Sequence, residues 1–334
     1  FEDWDCRNNR LLALLAAEIG DEVAAAIRRH GSHRIAVVLG TSTSGIAEGE
    51  DAYAHRLRTG GWPAAFHYRQ QETGGGALFL AELLGLSGPA FVVATACSSA
   101  AKAIASARRL LRAGLADAAI VGGADTLCRL TLAGFGTLEA LSPEPCQPFS
   151  RNRRGISIGE GGALFLLSPE PAEIELAGLA ETSDAHHVSA PDPEGAGALA
   201  AMAGALADGG LTPDEVGYLN LHGTATALND SMEAKAVAAL FPTGVACSST
   251  KGATGHTLGA AGAVEAAFLW LTLSGRWNPD RLLPPHAWDG AADPALPALR
   301  LARPGERLGK TAALSNSFAF GGSNCCLALR RSTP

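Results

Sequence analysis

Short apolar runs alternate with amphipathic stretches along most of the chain. Leucine, isoleucine and valine recur at helical spacing over 10–29, which predicts an early helix. The clearest unit covers 90–121, where a strand, a sharp turn at 96–99, a long helix and a second strand follow one another. This order is typical of a crossover connection in a parallel or mixed sheet.

The second half of the chain repeats the strand, tight turn and helix pattern. The predicted elements are strands at 162–167, 174–180, 218–221, 245–248, 311–316 and 324–329, and helices at 198–206, 231–240 and 259–273. Residues 124–155 are predicted to be mostly loop. The pattern predicts an α/β fold of two similar halves, with helices between or outside two sheets.

Composition and charge exclude several classes of protein. Charged residues make up only 18% of the 334 residues, so the chain is too apolar to be disordered. The net charge of −7 argues against nucleic acid as a partner. No segment reaches the length of about 18 apolar residues that a membrane span requires.

Cysteine usage predicts a reducing compartment, and therefore a cytoplasmic protein. The seven cysteines show neither C-x-x-C spacing nor a zinc-type grouping with histidine, so no metal site is expected. The N-terminus lacks the pattern of a signal peptide.

Cys97 differs from the other cysteines because it lies where a buried strand turns into a long helix. The unpaired N–H groups of a helix start favour a thiolate and lower the pKa of a thiol there. Small neighbours let backbone N–H groups approach a bound carbonyl oxygen, as in a nucleophile elbow. The alternative is a buried structural thiol. Cys247 also begins a Cys-Ser-Ser sequence, but a loop is expected after it, so it is interpreted as structural.

Two histidines lie in glycine-containing turns at element ends. His222 follows a strand and His256 precedes a helix. Glycine neighbours allow a substrate to approach each imidazole, which suits acid–base work or binding of a developing oxyanion. Either histidine alone would more often have a surface or capping role; together with Cys97 they favour catalysis.

Three charged residues near these turns need partners. Lys251 and Glu265 flank His256 in segments of small and apolar residues, where an unpaired charge is costly. An ion pair or a water-mediated link between them is therefore predicted. Asp230 is predicted to cap a helix that begins at Ser231.

The loop Asn316-Ser-Phe-Ala-Phe-Gly-Gly-Ser-Asn324 joins the last two strands. One interpretation is a hairpin with aromatic residues in the core. The other places Phe318 and Phe320 on a mobile turn that gates an apolar tunnel and offers a backbone N–H to an oxyanion.

Four motifs together resemble the β-ketoacyl-[acyl-carrier-protein] synthases, the condensing enzymes of fatty-acid and polyketide assembly. They are Thr95-Ala-Cys-Ser-Ser99, Leu221-His-Gly-Thr-Ala-Thr226 with Asp230, Ser249-Thr-Lys-Gly-Ala-Thr-Gly-His256 with Glu265, and the Asn316–Asn324 loop. The resemblance implies a thiolase-like fold of pseudo-symmetric halves in α-β-α-β-α layers. The expected halves are 1–170, carrying the nucleophile and lacking the family's first strand, and 171–334, carrying both histidines and the gating loop.

The resemblance also implies an elongating acyltransferase. Cys97 would hold the acyl chain as a thioester, and His222 and His256 would promote malonyl decarboxylation and stabilise the enolate. The N–H groups of Cys97 and Phe320 would bind the thioester oxygen. An acyl carrier protein would deliver both substrates on its phosphopantetheine arm.

Supporting roles follow in the same way. Lys251 and Glu265 would order the His256 side of the site, Asp230 would support it, and Thr224 and Thr226 would bind the phosphopantetheine arm. No metal or dissociable cofactor is implied.

Two positions depart from the family pattern. Ala319 replaces the glycine that usually precedes the gating phenylalanine, which restricts the backbone there. Gln147 replaces a usual arginine, and we expect a carrier-docking patch shifted to Arg151, Arg153 and Arg154. A solvated face is the alternative for these arginines.

The oligomer and the pathway remain open at this point. A dimer is expected, either a homodimer or a heterodimer with a chain-length-factor-like subunit. Motifs at 40–45 and 70–74 resemble ketosynthases of bacterial aryl-polyene pathways, with ordinary fatty-acid elongation as the alternative. A priming synthase, a thiolase and a non-catalytic partner are disfavoured by the two histidine turns and by Cys97.

Overall fold

A four-stranded sheet forms the centre of the first unit. The strands are β1 (Ile35–Gly40), β2 (Ala90–Val93), β3 (Ala118–Asp125) and β4 (Gly161–Leu167), in the order β2-β1-β3-β4. β1 runs parallel to β2 and β3, and β4 is antiparallel to β3. Every residue of β1 and β3 is buried, as the continuous apolar runs predict for strands covered on both faces. The computed structural model describes residues 1–332.

Six helices belong to this unit. They are α1 (Arg7–Glu18), α2 (Gly20–His30), α3 (Ile46–Thr59), α4 (Gly75–Leu83), α5 (Ser99–Arg112) and α6 (Arg129–Thr137). The single helix predicted over 10–29 is therefore two helices, because the backbone of Ile19 leaves the helical region ahead of Gly20. α6 lies in a stretch predicted to be loop; it buries no residue and contains two glycines, so its sequence does not show the pattern of a packed helix.

A six-stranded sheet forms the centre of the second unit. Its strands are β5 (Ile174–Ser183), β6 (Val216–Asn220), β7 (Ala246–Ser248), β8 (Arg300–Leu301), β9 (Ala312–Ala319) and β10 (Ser323–Arg331), in the order β5-β10-β9-β6-β7-β8. β10 is antiparallel to β5 and β9, whereas β9, β6, β7 and β8 are parallel.

The remaining helices are α7 (Ala196–Asp208), α8 (Ala227–Leu240), α9 (Lys251–Thr254) and α10 (Ala261–Leu273). Apolar residues of α7 and α8 and of one sheet face form a single core, which includes Met202, Leu219, Val237 and Leu314. This packing holds the ends of β6 and β7, where the histidine and lysine turns begin.

The two units do not divide the chain at one point. The first contains Phe1–Thr137, Ile158–Glu170 and Thr257–Val264, and the second contains the rest. The split predicted at 170/171 coincides with one crossing, but 138–157 belongs to the second unit and 257–264 to the first. Hydrogen bonds account for both: Gly155 N–H donates to Ala225 O, and Ala260 N–H donates to the carboxylate of Asp125. Within residues 1–332, no helix is both long enough and apolar enough to span a bilayer.

Candidate active site

Cys97 lies in a strained turn between β2 and α5. Ala96 has a φ of +51°, a conformation that a residue with a Cβ rarely adopts, and the thiol-bearing residue is 8% exposed. Cys97 immediately precedes Ser98, the N-cap of the 14-residue helix α5. The helix start presses on β1, since a Cβ on Gly40 would lie 2.2 Å from the backbone nitrogen of Ala100. The predicted sharp strand-to-helix turn at Cys97 is therefore present in the backbone.

Serine hydroxyls hold this turn in place. Ser98 Oγ donates to Thr95 O at 2.9 Å, and Ser99 Oγ donates to Ala96 O at 2.6 Å. Thr95 N–H donates to Ser99 Oγ at 2.9 Å. These short side-chain-to-backbone bonds explain why small hydroxyl residues follow Cys97.

His222 is held by the carboxylate of Glu233 in the second unit. Its backbone N–H donates to Glu233 Oε1 at 2.7 Å, and Gly223 N–H donates to Oε2 at 2.8 Å. Asn316 Nδ2 donates to the same Oε1 at 3.0 Å. Burial raises the pKa of Glu233 to about 7. The turn needs Gly223, because a Cβ there would lie 2.5 Å from Ser249 Cβ.

His256 is equally buried and follows the short helix α9. Its backbone N–H donates to Ser157 O at 2.7 Å, and Gly255 before it has a φ of +70°. The ring of His256 meets that of His222 edge to face, with centroids 5.4 Å apart. The sequence therefore places two turns correctly, and the fold of the second unit brings their imidazoles together.

Both imidazoles are neutral at pH 7. Burial, followed by the charge of Lys251, lowers the pKa of His222 and of His256 well below the usual value. A neutral imidazole carries one N–H group, so each ring can donate a hydrogen bond without first being protonated. The pair suits an oxyanion that develops beside it.

Lys251 joins the two histidine turns through one ammonium group. It is 2% exposed, donates to His222 O at 2.5 Å and lies 3.4 Å from His222 Nδ1. It also forms the predicted ion pair with Glu265, which is buried as well. Burial raises the pKa of Glu265 to about 7, and the Lys251 charge opposes that rise.

Asp230 has a different role from the predicted cap. α8 begins at Ala227, not at Ser231, so Asp230 lies inside its first turn. Its carboxylate is fully buried and accepts hydrogen bonds from Phe149 N at 2.7 Å and Ala225 N at 3.2 Å. Asp230 thus joins the loop at 149 to the turn that precedes α8.

Thr224 and Thr226 lie in that same turn. Their hydroxyl oxygens are 2.9 Å apart, and Ala225 between them has a φ of +63°. Thr224 is buried, and Thr226, the N-cap residue of α8, is partly exposed.

The two loop phenylalanines separate in the structure. Phe318 belongs to β9, is 5% exposed and lies with its ring centroid 6.1 Å from that of His222, so it is a core residue and not part of a mobile turn. Phe320 is 41% exposed at the start of the turn between β9 and β10. Ala319 has an extended backbone, φ −120° and ψ 158°, which any residue adopts. The positive φ values fall on Gly321 and Gly322 instead.

Comparison with known proteins assigns the family. Residues 10–172 match the model "Beta-ketoacyl synthase, N-terminal domain", and residues 174–283 match "Beta-ketoacyl synthase, C-terminal domain". Nodulation protein E of Rhizobium meliloti is 34% identical over 342 residues, covering 96% of this chain and 82% of that protein. The chain belongs to the β-ketoacyl synthase family.

Other β-ketoacyl synthases extend the comparison. The 3-oxoacyl-[acyl-carrier-protein] synthase 2 of Staphylococcus aureus is 36% identical over 265 residues, which cover 74% of this chain and 63% of that enzyme. A ketosynthase (ApeO), solved in complex with its chain length factor (ApeC) from Xenorhabdus doucetiae, is 49% identical with a TM-score of 0.94. The match covers 99% of this chain and 83% of that one. The ishigamide ketosynthase/chain length factor matches with a TM-score of 0.87 at 26% identity, and the match covers 99% of this chain and 83% of that one. The thiolase-like fold is shared with these neighbours.

The arginines of this β-ketoacyl synthase that were expected to dock a carrier fall into two groups. Arg151 and Arg154 are exposed. Arg153 is only 10% exposed in its side chain, donates to Ser150 O and forms an ion pair with Asp293 at 2.6 Å. Arg153 is therefore a structural residue of the 150–153 turn.

Sequence reasoning missed Glu233 and His286 in this synthase. Glu233 belongs to no motif in the sequence of α8. The structure shows that it is completely buried and accepts a hydrogen bond from the His222 turn. His286 accepts a hydrogen bond from Ser249 N at Nδ1, 3.1 Å, and Nε2 lies 2.9 Å from Pro148 O. A signal existed for Glu233, since a carboxylate three residues after Asp230 on an apolar helix face needs a partner.

Cys247 fits its interpretation as a structural thiol. It is fully buried in β7, and burial raises the pKa of its thiol. A short helix, α9, follows it where a loop was expected.

Proposed function

We propose that the chain catalyses the decarboxylative condensation of a malonyl thioester with an acyl group held on Cys97, extending the acyl chain by two carbons. The observation that carries the proposal is the pair of buried, neutral imidazoles of His222 and His256 beside the Lys251 ammonium. The lowered pKa values keep both imidazoles neutral, so that each can donate one N–H to an oxyanion. An enolate, whose oxygen carries such a charge, is the intermediate of this reaction. The elbow at Cys97 supplies the covalent acceptor.

The first step is acyl transfer to Cys97. The Cys97 thiol gives up its proton, the thiolate attacks the thioester carbonyl of an acyl-carrier protein, the carrier's C–S bond breaks, and the carrier sulfur leaves as a thiol with that proton. The N–H groups of Cys97 and Phe320 are the proposed donors to the oxyanion. The start of α5 behind Cys97 favours the thiolate.

The second step makes the carbon–carbon bond. The malonyl carboxylate leaves as CO₂, and its electron pair forms an enolate whose oxygen accepts from His222 and His256. The enolate carbon attacks the Cys97 thioester, the C–S bond breaks, and the thiolate takes one proton from solvent. Lys251 and Glu265 hold the two histidine turns, and Asp230 holds the adjoining loop.

Thr224 and Thr226 are the proposed contacts for the phosphopantetheine arm of the carrier, because both hydroxyls lie in the turn after His222. The proposed chemistry uses no metal and no dissociable cofactor. Condensation should therefore persist after exhaustive treatment with a chelator; loss of activity that added metal restores would contradict this.

We further propose that the chain is the catalytic half of a heterodimer with a chain-length-factor-like subunit, of the aryl-polyene type. Its 49% identity to a ketosynthase solved with a chain length factor supports this reading. A homodimer of the fatty-acid type is the alternative. The seven free, buried cysteines support the predicted cytoplasmic location. Native mass spectrometry of the chain, alone and co-expressed with a chain-length-factor subunit, distinguishes the two dimers.

Intact-mass spectrometry tests the nucleophile. The wild type, Cys97→Ala and Cys247→Ala are incubated with acyl-carrier protein, then with malonyl-carrier protein, with the candidate partner subunit present. Cys247→Ala is the matched control, since it also begins a Cys-Ser-Ser sequence. We expect the acyl mass on the wild type and Cys247→Ala only, followed by a ketoacyl product two carbons longer. Acylation that survives in Cys97→Ala would contradict the assignment of the nucleophile. Neither acylation nor condensation in the wild type would favour a non-catalytic partner.

Carrier docking is proposed at Arg151 and Arg154, which are exposed. Reversal of both charges to glutamate should raise the KM for the carrier and leave kcat nearly unchanged, because rim charges act mainly on association. An unchanged KM would leave these arginines as a solvated face.

A further inference from the structure

Asp125, at the end of β3, is only 1% exposed, and its carboxylate is surrounded by hydrogen-bond donors of the protein. Oδ1 accepts from Thr41 Oγ1 at 2.5 Å, Thr43 Oγ1 at 2.7 Å, and the backbone nitrogens of Ser42 and Thr43 at 2.8 Å each. Oδ2 accepts from Ala260 N at 3.0 Å and from Ser42 N at 3.1 Å. One carboxylate therefore ties the turn after β1 to the segment 257–260.

That segment directly follows His256 in the chain. Leu258 has a φ of +48°, which a branched residue adopts only when the surroundings enforce it. Gly259 lies against the turn after β1, because a Cβ there would lie 2.6 Å from Thr41 C and 2.7 Å from Ser42 N. Ala260 N–H donates both to Thr257 O within the segment and to Asp125, and the bond to Asp125 ties this strained segment to the end of β3.

We propose that Asp125 is a positioning residue for His256. The backbone before His256 is held by Ser157, which accepts from the N–H of His256, and the backbone after it is held through Ala260. Release of Ala260 lets Leu258 relax to an ordinary conformation, and the adjoining imidazole turns with it. This inference rests on the proposed function, in which His256 serves condensation and not acylation of Cys97.

The test separates the two half-reactions in Asp125→Asn. The amide keeps the shape of the side chain but places an NH₂ group where a carboxylate oxygen accepted hydrogen bonds. Because a misplacement of order 1 Å costs about 100-fold in rate, we expect condensation to fall by roughly that factor. Acylation of Cys97, measured by intact mass, should stay within about twofold of the wild type.

Two further variants fix the interpretation. Thr43→Val removes one donor to the same carboxylate on the side of the β1 turn and should leave the ratio of the half-reactions unchanged. Gly259→Ala leaves the Asp125 side chain unchanged but displaces the segment from Thr41 and Ser42, and it should reproduce the selective loss of condensation. Equal loss of both half-reactions in Asp125→Asn, or no loss, overturns the proposal.

His256→Ala provides the benchmark. If His256→Ala acylates normally and fails to condense, the proposed function stands, and Asp125→Asn must then show the same selective loss of condensation. If it shows no such split, the assigned role of His256 is wrong, and the positioning of its backbone is judged by hydrogen exchange. Asp125→Asn should speed exchange of the amides at 257–260 but not those of β1. Unchanged protection of 257–260 overturns the positioning proposal whatever the activity.

Discussion

The Oε1 atom of Glu233 lies 2.7 Å from the backbone nitrogen of His222, and its Oε2 atom lies 2.8 Å from that of Gly223. One buried carboxylate on α8 thus fixes both peptide planes on which the His222 imidazole depends. Asn316, from β9, donates to the same carboxylate at 3.0 Å and completes its support.

Replacement of Glu233 by glutamine should slow condensation by roughly 10- to 100-fold, since one backbone N–H then faces an NH₂ group in a buried site, at a cost of about 1–3 kcal/mol. Steady-state condensation, with Cys97 acylation measured in parallel, checks this. Glu215→Gln is the control, because Glu215 is exposed and its carboxylate accepts hydrogen bonds from the neighbouring Thr212. Equal rates in the two variants would deny Glu233 a role in holding His222.

The Lys251–Glu265 pair should couple strongly in unfolding experiments. Lys251→Met and Glu265→Gln each leave a buried polar partner unpaired, and each should lower the free energy of unfolding by about 3–5 kcal/mol. The double variant should lose much less than the sum, because neither charge is then buried alone. Urea unfolding of the four proteins measures the coupling; additive losses would mean that the two buried groups do not stabilise each other.

His286 should make the fold sensitive to mild acid. Burial lowers its pKa to about 4, against 6.5 in the unfolded chain. Both states are neutral above pH 6.5, so the full stability is present there. Between pH 6.5 and 4 the unfolded chain binds the proton preferentially, and about 3 kcal/mol is lost at 1.36 kcal/mol per pKa unit.

His286→Gln keeps an acceptor for Ser249 and a donor for Pro148 but removes the titration. The stability of the wild type relative to this variant should therefore decline as pH falls from 7 to 4. Chemical denaturation across that range measures the decline. Parallel curves would show that His286 does not contribute to acid sensitivity.

The turn after Phe320 contains a matched pair of glycines. Gly321 and Gly322 both have positive φ, +79° and +69°, but a Cβ on Gly321 meets open space, whereas one on Gly322 lies 2.8 Å from Asp184 Cβ. Gly321→Ala should cost about 1–2 kcal/mol for the left-handed backbone. Gly322→Ala should cost about 1–3 kcal/mol more from overpacking, visible as a lower Tm. Equal Tm values would contradict the crowding at Asp184.

Local sequence signals located the turns at Cys97, His222 and His256 but not the residues that hold them in place. The turn at Cys97 was predictable because an apolar strand, small residues and a long helix are adjacent in the sequence. The partners Glu233, Asp125 and His286 act across 11, 135 and 138 residues respectively. A local pattern can show that a carboxylate such as Glu233 needs a partner, but it does not identify that partner. The start of α8 was misplaced for a related reason, since Asp230 has the character of a cap but lies inside the helix and accepts hydrogen bonds from Phe149 and Ala225.

Because the chain crosses between the two units several times, the protein cannot be divided into two independent units by one cut in its sequence. The chain enters or leaves the first unit at 137/138, 157/158, 170/171, 256/257 and 264/265. Neither unit is encoded by one continuous stretch, so expressing 1–170 alone omits the 257–260 segment that Asp125 binds. Contacts between 1–137 and 257–264 can form only after most of the chain has been synthesised, and contacts between residues so far apart in sequence slow folding. A gene split at the apparent midpoint should yield fragments that regain structure only on mixing.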